Sequence, residues 1–262
     1  MGNKNCEWRK IRFKNISVYY LLELHGGGAT FGQDFITAVK DKIGRVDTIC
    51  EFACGPGFIG FTLLAYGLCE KLCLIDVSPL AIKTCKKTIK ENQLEDRVQV
   101  YLSDVLDGVP KSEKWDLVVS NPPHFQGTTE DYKNNELTFD PDWRIHKKFY
   151  REIFRHLNKE GSILFQENKM GGSALIWREM ISKSKFGFVK VFELKPSGKE
   201  KLAAGVKFLY SLYGFDFFRW IQLVASGLKE LYPRLISKSY PFYFVWTKKR
   251  WIPHGLSKLD PE

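Results

Sequence analysis

At 262 residues, 44% hydrophobic and 27% charged, the chain has the composition of one large globular domain, which excludes a disordered or fibrous protein. Forty Lys plus Arg against thirty Asp plus Glu leave a formal net charge of +10. That balance favours an anionic partner such as RNA, although lysines spread over surface helices give the same total.

Residues 1–27 read as a polar N-terminal extension without a signal-peptide pattern. A glycine-rich stretch, HGGGATFGQD (25–34), then leads into a predicted helix over 34–42. From there strands alternate with helices. Strands are predicted over 46–52, 71–76, 97–102 and 115–120, with helices over 58–67 and 79–91. Pro79 suits the first turn of its helix, with Ser78 as the N-cap. Helical apolar spacing returns over 141–157, and the NKEG turn that follows opens a fifth strand over 161–167. A helix over 172–184 precedes a sixth strand, 186–194, and YPFYFVW (240–246) makes a seventh.

This alternation implies an α/β fold with a doubly wound, mostly parallel sheet, whose ligands lie at the carboxyl ends of the strands. We expect residues 28–262 to form that domain. The aromatic-rich stretch 205–238 is expected to be an insertion serving as a substrate lid, an amphipathic surface or a helical pair packed on the sheet. The longest apolar candidate, 206–228, is interrupted by Asp216 and Arg219, so integral membrane association is not expected. Cysteines 6, 50, 54, 69, 73 and 85 include no CxxC pair. They read as reduced core residues of a cytoplasmic protein, with no metal site.

EFACGPGFIG (51–60) is a glycine turn between strand and helix. Gly55 and Gly57 permit a sharp turn and close backbone approach to a ligand, and Asp76 follows where an acid accepts from ribose hydroxyls. Gly55, Gly57 and Gly60 also satisfy G-x-G-x-x-G, which keeps an NAD-dependent Rossmann oxidoreductase open as an alternative. Glu51 argues for another cofactor. Its carboxylate would repel a pyrophosphate but would accept an ammonium, such as the amino-acid end of S-adenosylmethionine. Asp104, after the third strand, is placed to accept from an adenine amino group or to cap a helix.

SNPPHFQG (120–127) leaves the carboxyl end of a central strand. Two prolines fix two φ angles and hold the Asn121 side-chain oxygen and the Pro122 carbonyl rigid. Together these acceptors can take both hydrogens of a conjugated amino group and aim its lone pair at a methyl donor.

In this order the motifs EFACGPG, LIDVSPLAI, SD and SNPPHF resemble a class I S-adenosylmethionine-dependent methyltransferase. The closer likeness is to the NPP(Y/F) amino-methylating branch, which includes release-factor glutamine and ribosomal RNA guanine enzymes. The resemblance covers about residues 28–168. It implies a Rossmann-like seven-stranded sheet with an antiparallel last strand, and a product, S-adenosylhomocysteine. It implies cofactor contacts at Thr30, Glu51, Ala53, Gly55, Gly57, Phe58, Asp76, Val77, Asp104, Val105 and Asn121. It places substrate contacts at Asn121, Pro123, His124 and Phe125, and catalytic roles at Asn121, Pro122 and His124. Ala53 stands where the family's first loop glycine is usual, which we expect to be a mild change. His124 replaces the stacking aromatic and is read as a stacking group, a base or a polar contact. Only about 25 residues precede the glycine-rich stretch, so no separate substrate domain is expected, which favours a compact or small-molecule substrate. A catalytically silent cofactor-binding subunit is the remaining alternative.

Overall fold

The computed structural model describes residues 7–24, 28–184, 186–194 and 242–249. The expected insertion at 205–238 lies outside the described residues, as does the side chain of Thr30.

Seven strands share one sheet: β3 (Thr48–Phe52), β4 (Lys71–Asp76), β5 (Val98–Leu102), β6 (Trp115–Ser120), β7 (Leu157–Asn168), β8 (Phe186–Phe192) and β9 (Phe242–Lys249). Their order is β5-β4-β3-β6-β7-β9-β8. The first five neighbours pair in parallel, and β9 runs antiparallel between β7 and β8. The expected antiparallel last strand is therefore present, inserted one place in from the edge.

The strands read as continuous apolar runs because helices cover both faces. On one side Ile49, Leu72, Leu74 and Leu164 meet Phe35 of α1 (Gly28–Lys42), Phe61 of α2 (Phe58–Ala65) and Ile89 of α3 (Pro79–Glu91). On the other, Cys50, Ile75, Val118 and Phe165 meet Phe149 of α5 (Arg144–Glu152), which follows α4 (Thr129–Asn134) in the chain, and Trp177 of α6 (Ala174–Ser182). The five described cysteines are buried and unbridged. Among the described residues no helix is long and apolar enough to cross a membrane.

Four local expectations change. Residues 8–21 form an antiparallel hairpin, β1 (Trp8–Phe13) and β2 (Ile16–Leu21), that sequence reasoning did not resolve. It docks on α3, where Asn92 accepts from Ser17 N and donates to Ser17 O, and Thr88 accepts from Tyr19 N. The glycine stretch is helical from Gly28. Gly32 serves close packing there, since a Cβ on it would sit 2.6 Å from Thr62 Oγ1 of α2. The helix read over 141–157 is broken at its start, where Asp142 and Trp143 both have positive φ, 52° and 55°. Finally, β7 begins at Leu157, so the NKEG segment belongs to the strand rather than to a turn.

Candidate active site

The carboxyl ends of β3, β4, β5 and β6 converge on one cleft of about 990 Å³, part of it open to solvent. Of the predicted residues, Glu51, Ala53, Gly55, Phe58, Asp76, Val77, Asp104, Val105, Asn121 and Pro123 line it. Gly57, Pro122, His124 and Phe125 are not part of its wall.

Glu51, one residue before the end of β3, sets its side chain under the N-terminus of α2. One oxygen accepts from Gly60 N at 2.6 Å and the other from Ile59 N at 3.3 Å. Burial pushes its carboxyl up to about 8, against the pull of those two donors. This arrangement also separates the candidate cofactors. A Rossmann dinucleotide site offers its helix N-terminal N–H groups to a pyrophosphate; here a carboxyl group of the chain already occupies two of them.

Asp76 shapes the loop it faces. Its two oxygens accept from Gly55 N at 2.7 Å and Ser78 N at 2.8 Å, and burial raises its pKa despite these bonds. A Cβ on Gly55 would meet nothing within 4 Å, so the loop leaves open space there. Ala53 adopts φ 50°, the conformation that favours glycine, so its replacement of the usual glycine is not mild. It costs about 1–2 kcal/mol of left-handed backbone strain. Val105 at φ 58° holds a second strained turn on the same cleft.

Gly57 acts through packing. Its φ is 81°, and a Cβ would stand 2.8 Å from the Phe61 ring and 3.2 Å from Leu74 Cδ1. Gly57→Val should therefore cost roughly 2–5 kcal/mol of stability from strain and overpacking, seen as a lowered thermal midpoint before any ligand is added.

Asp104 is more engaged than its sequence context suggested. It accepts from Arg144 at 3.3 Å and Lys148 at 3.1 Å, both on α5. Partial burial raises its pKa, but those cations outweigh it and hold the carboxyl below its ordinary value. Sequence reasoning missed Tyr132, Glu136 and Arg144, which close the cleft from the 128–144 segment. Nothing in their spacing marks them, because the fold brings them to the site.

Asn121 lies at the exit of β6. The residue lines the cleft, and its Oδ1 is buried with no hydrogen-bond partner among the described residues. His124 turns the other way: its Nδ1 lies 3.4 Å from Glu167 Oε2 inside the protein. Phe125 is half-buried beside Phe139.

A model of the methyltransferase small domain matches residues 32–191, more than half of the chain. The chain belongs to this family. Among curated relatives, the ribosomal RNA small subunit methyltransferase C of Haemophilus influenzae is 27% identical over 147 residues, 53% of this chain and 42% of that one. The release factor glutamine methyltransferase of Clostridium botulinum is 28% identical over 187 residues, 65% of this chain and 62% of that one. The chain thus spans about two fifths to three fifths of the length of these relatives. Among solved structures, a T. thermophilus 16S rRNA N2 methyltransferase in complex with AdoMet and guanosine aligns with a TM-score of 0.51 at 14% identity. The alignment covers 70% of this chain and 47% of that one. The StiE O-MT aligns with a TM-score of 0.53 at 15% identity over 83% of this chain and 73% of that one. At such identities these likenesses establish the small domain's Rossmann-like α/β fold.

Proposed function

We propose that this chain is a methyltransferase that moves a methyl group from S-adenosylmethionine to an amino or amide nitrogen of a planar group. One observation carries the reading: Asn121 lines the cleft, and its side-chain oxygen is buried without a hydrogen-bond partner among the described residues. A buried acceptor without a donor costs about 1–3 kcal/mol, so such a group calls for a ligand that brings one. A hydroxyl acceptor would bring a single hydrogen. An amino group brings two, one for Asn121 Oδ1 and one for a backbone carbonyl of the 121–123 turn, whose Asn121 and Pro123 line the cleft.

The cleft residues suit the cofactor. Glu51 would hold its ammonium, Asp76 its ribose hydroxyls and Asp104 its adenine amino group. The cofactor supplies a methyl group made electrophilic by a sulfonium. The chain's part is to position and polarise the nucleophile. Delocalisation makes the nitrogen of an aromatic amine or amide a poor nucleophile. Two acceptors draw on its hydrogens, favour pyramidal geometry and restore a lone pair directed at the methyl donor.

The acceptor we favour is RNA, in keeping with the net charge of +10 and with the named activity of one relative. The second relative, named for glutamine, makes protein the competing pool. Reduced, buried cysteines fit a cytoplasmic setting. Incubation with methyl-labelled S-adenosylmethionine and separated RNA, protein and small-molecule fractions should label RNA. Label in none of the three would remove the reading, and calorimetry showing NADH binding without S-adenosylhomocysteine binding would replace it.

Within this reading Asp76→Ala should weaken S-adenosylhomocysteine binding by about 1.5–3 kcal/mol, the usual worth of a hydrogen bond to a charged group. An unchanged dissociation constant in calorimetry would move the ribose site elsewhere.

A further inference from the structure

We propose that a buried chain of four side chains, Asp140–His146–Glu167–His124, positions the Asn121–Phe125 loop, with His124 serving as its inward anchor. The inference rests on the reading of Asn121 as the group that orients the nucleophile.

The loop needs an external hold. Pro122 and Pro123 have no N–H, so the backbone donors here are those of His124 and Phe125, and both give to Thr138 O at 3.1 Å. Phe125 O accepts from Asp140 N at 2.8 Å, which ties the loop to the start of the network. Asp140 is fully buried. Its carboxylate accepts from Ile145 N at 2.8 Å and His146 N at 3.2 Å, and lies 2.7 Å from His146 Nδ1. On its other side the His146 ring reaches Glu167 Oε1 at 3.1 Å through Nε2. The second oxygen of Glu167 meets His124 Nδ1.

The proton positions follow from the partners. An ionised carboxylate can only accept, so each imidazole nitrogen facing one must carry a hydrogen. His146 is therefore an imidazolium between two carboxylates. Burial pushes its pKa down, but Glu167 and Asp140 outweigh that and bring it to about 9. In Glu167, burial pushes up and His146 pulls down, leaving the carboxyl below its ordinary value. His124 carries its hydrogen on Nδ1.

Two further contacts point to positioning rather than chemistry for His124. Its ring is not part of the cleft wall, whereas Asn121 and Pro123 on either side of the turn are. The loop is also pressed from behind: a Cβ on Gly171 would fall 1.8 Å from His124 O. The His124 peptide is thus held by a backbone contact on one side and by Glu167 at the ring. Buried ionic networks are weak sources of net stability, and fixing one conformation is among their best attested uses. Where the family's aromatic would face a planar substrate, this chain uses the residue after the prolines to fasten the loop from inside.

The test uses the full chain with Glu167→Gln, which keeps the shape but removes the charge. Amide exchange at His124, Phe125 and Asp140 should accelerate by at least about tenfold while Cys50 and Leu74 in the sheet stay as in the wild type. S-adenosylhomocysteine affinity should remain within about threefold, and kcat for the pool the wild type labels should fall by at least about tenfold with KM little changed. Should that variant fail to fold, His124→Phe cuts only the last link and should give the same local pattern. Exchange unchanged at His124 and Phe125 in the folded variant would overturn the proposal. So would uniform acceleration across the sheet, because that is the signature of a structural role alone. Exchange and product binding need no methyl acceptor, so they report on the anchor even if no pool takes label and the proposed function itself fails.

Discussion

Asn121→Ala should lower kcat by at least about 100-fold while leaving S-adenosylhomocysteine affinity within a factor of a few. The asymmetry follows from where the oxygen sits. Asn121 lines the cleft, and its buried oxygen bonds to nothing among the described residues, so it is not occupied in shaping the cofactor loop. For the same reason the substitution should not weaken the fold. Removing a buried acceptor that has no partner takes away a desolvation cost of about 1–3 kcal/mol, enough to offset the lost packing. The thermal midpoint should therefore hold or rise while turnover collapses, a combination that a structural role would not produce. Asn121→Asp keeps an acceptor and should retain partial activity. Full turnover by Asn121→Ala would mean that the two prolines stiffen a loop without a catalytic task.

The sheet and the cleft at its carboxyl ends were legible because their signals are local. A buried parallel strand is apolar along its length, so a polar group near its carboxyl end stands out; Glu51, Asp76 and Asn121 each do so, and each lines the cleft. The hairpin at 8–21 was less visible because its backbone bonds reach Thr88 and Asn92, some seventy residues away. Gly57 looked like a ligand-loop glycine, and Gly32 belongs to the glycine-rich stretch, yet each is small because of a side chain from another turn, Phe61 or Thr62. The inward turn of His124 could not be read at all. It depends on Glu167 and His146, which come from β7 and α5 and carry no motif. The wall built by Tyr132, Glu136 and Arg144 is hidden for the same reason.

Glu51 should make cofactor binding depend on pH, and the direction is fixed by its raised pKa. In the unfolded chain this carboxyl ionises near 4.5, whereas burial in the fold moves it to about 8. The folded state therefore binds the proton more tightly. The group's contribution to stability is complete below about 4.5 and is lost as pH rises towards 8. The ligand-free protein should accordingly lose thermal stability between pH 5 and 8, by an increment that Glu51→Gln removes. Asp76, whose pKa is also raised, contributes a slope of the same sign that persists in that variant. Ligand binding should run the opposite way. In the proposed site the ammonium of S-adenosylhomocysteine would pair with the ionised form, so the carboxyl would have to shed its proton for the ligand to bind. Affinity should rise by at least about tenfold from pH 6 to pH 8, and then fall as the ligand's own amine, with a reference pKa of about 8, loses its charge. Calorimetry at pH 7 in buffers of different ionisation enthalpy should detect proton release on binding. Glu51→Gln should weaken the complex by about 1.5–3 kcal/mol at pH 8 and abolish the proton release due to this carboxyl. Wild-type affinity in that variant, with proton release unchanged, would show that the amine is held by another group and that Glu51 serves only to tie β3 to the start of α2 through Ile59 and Gly60.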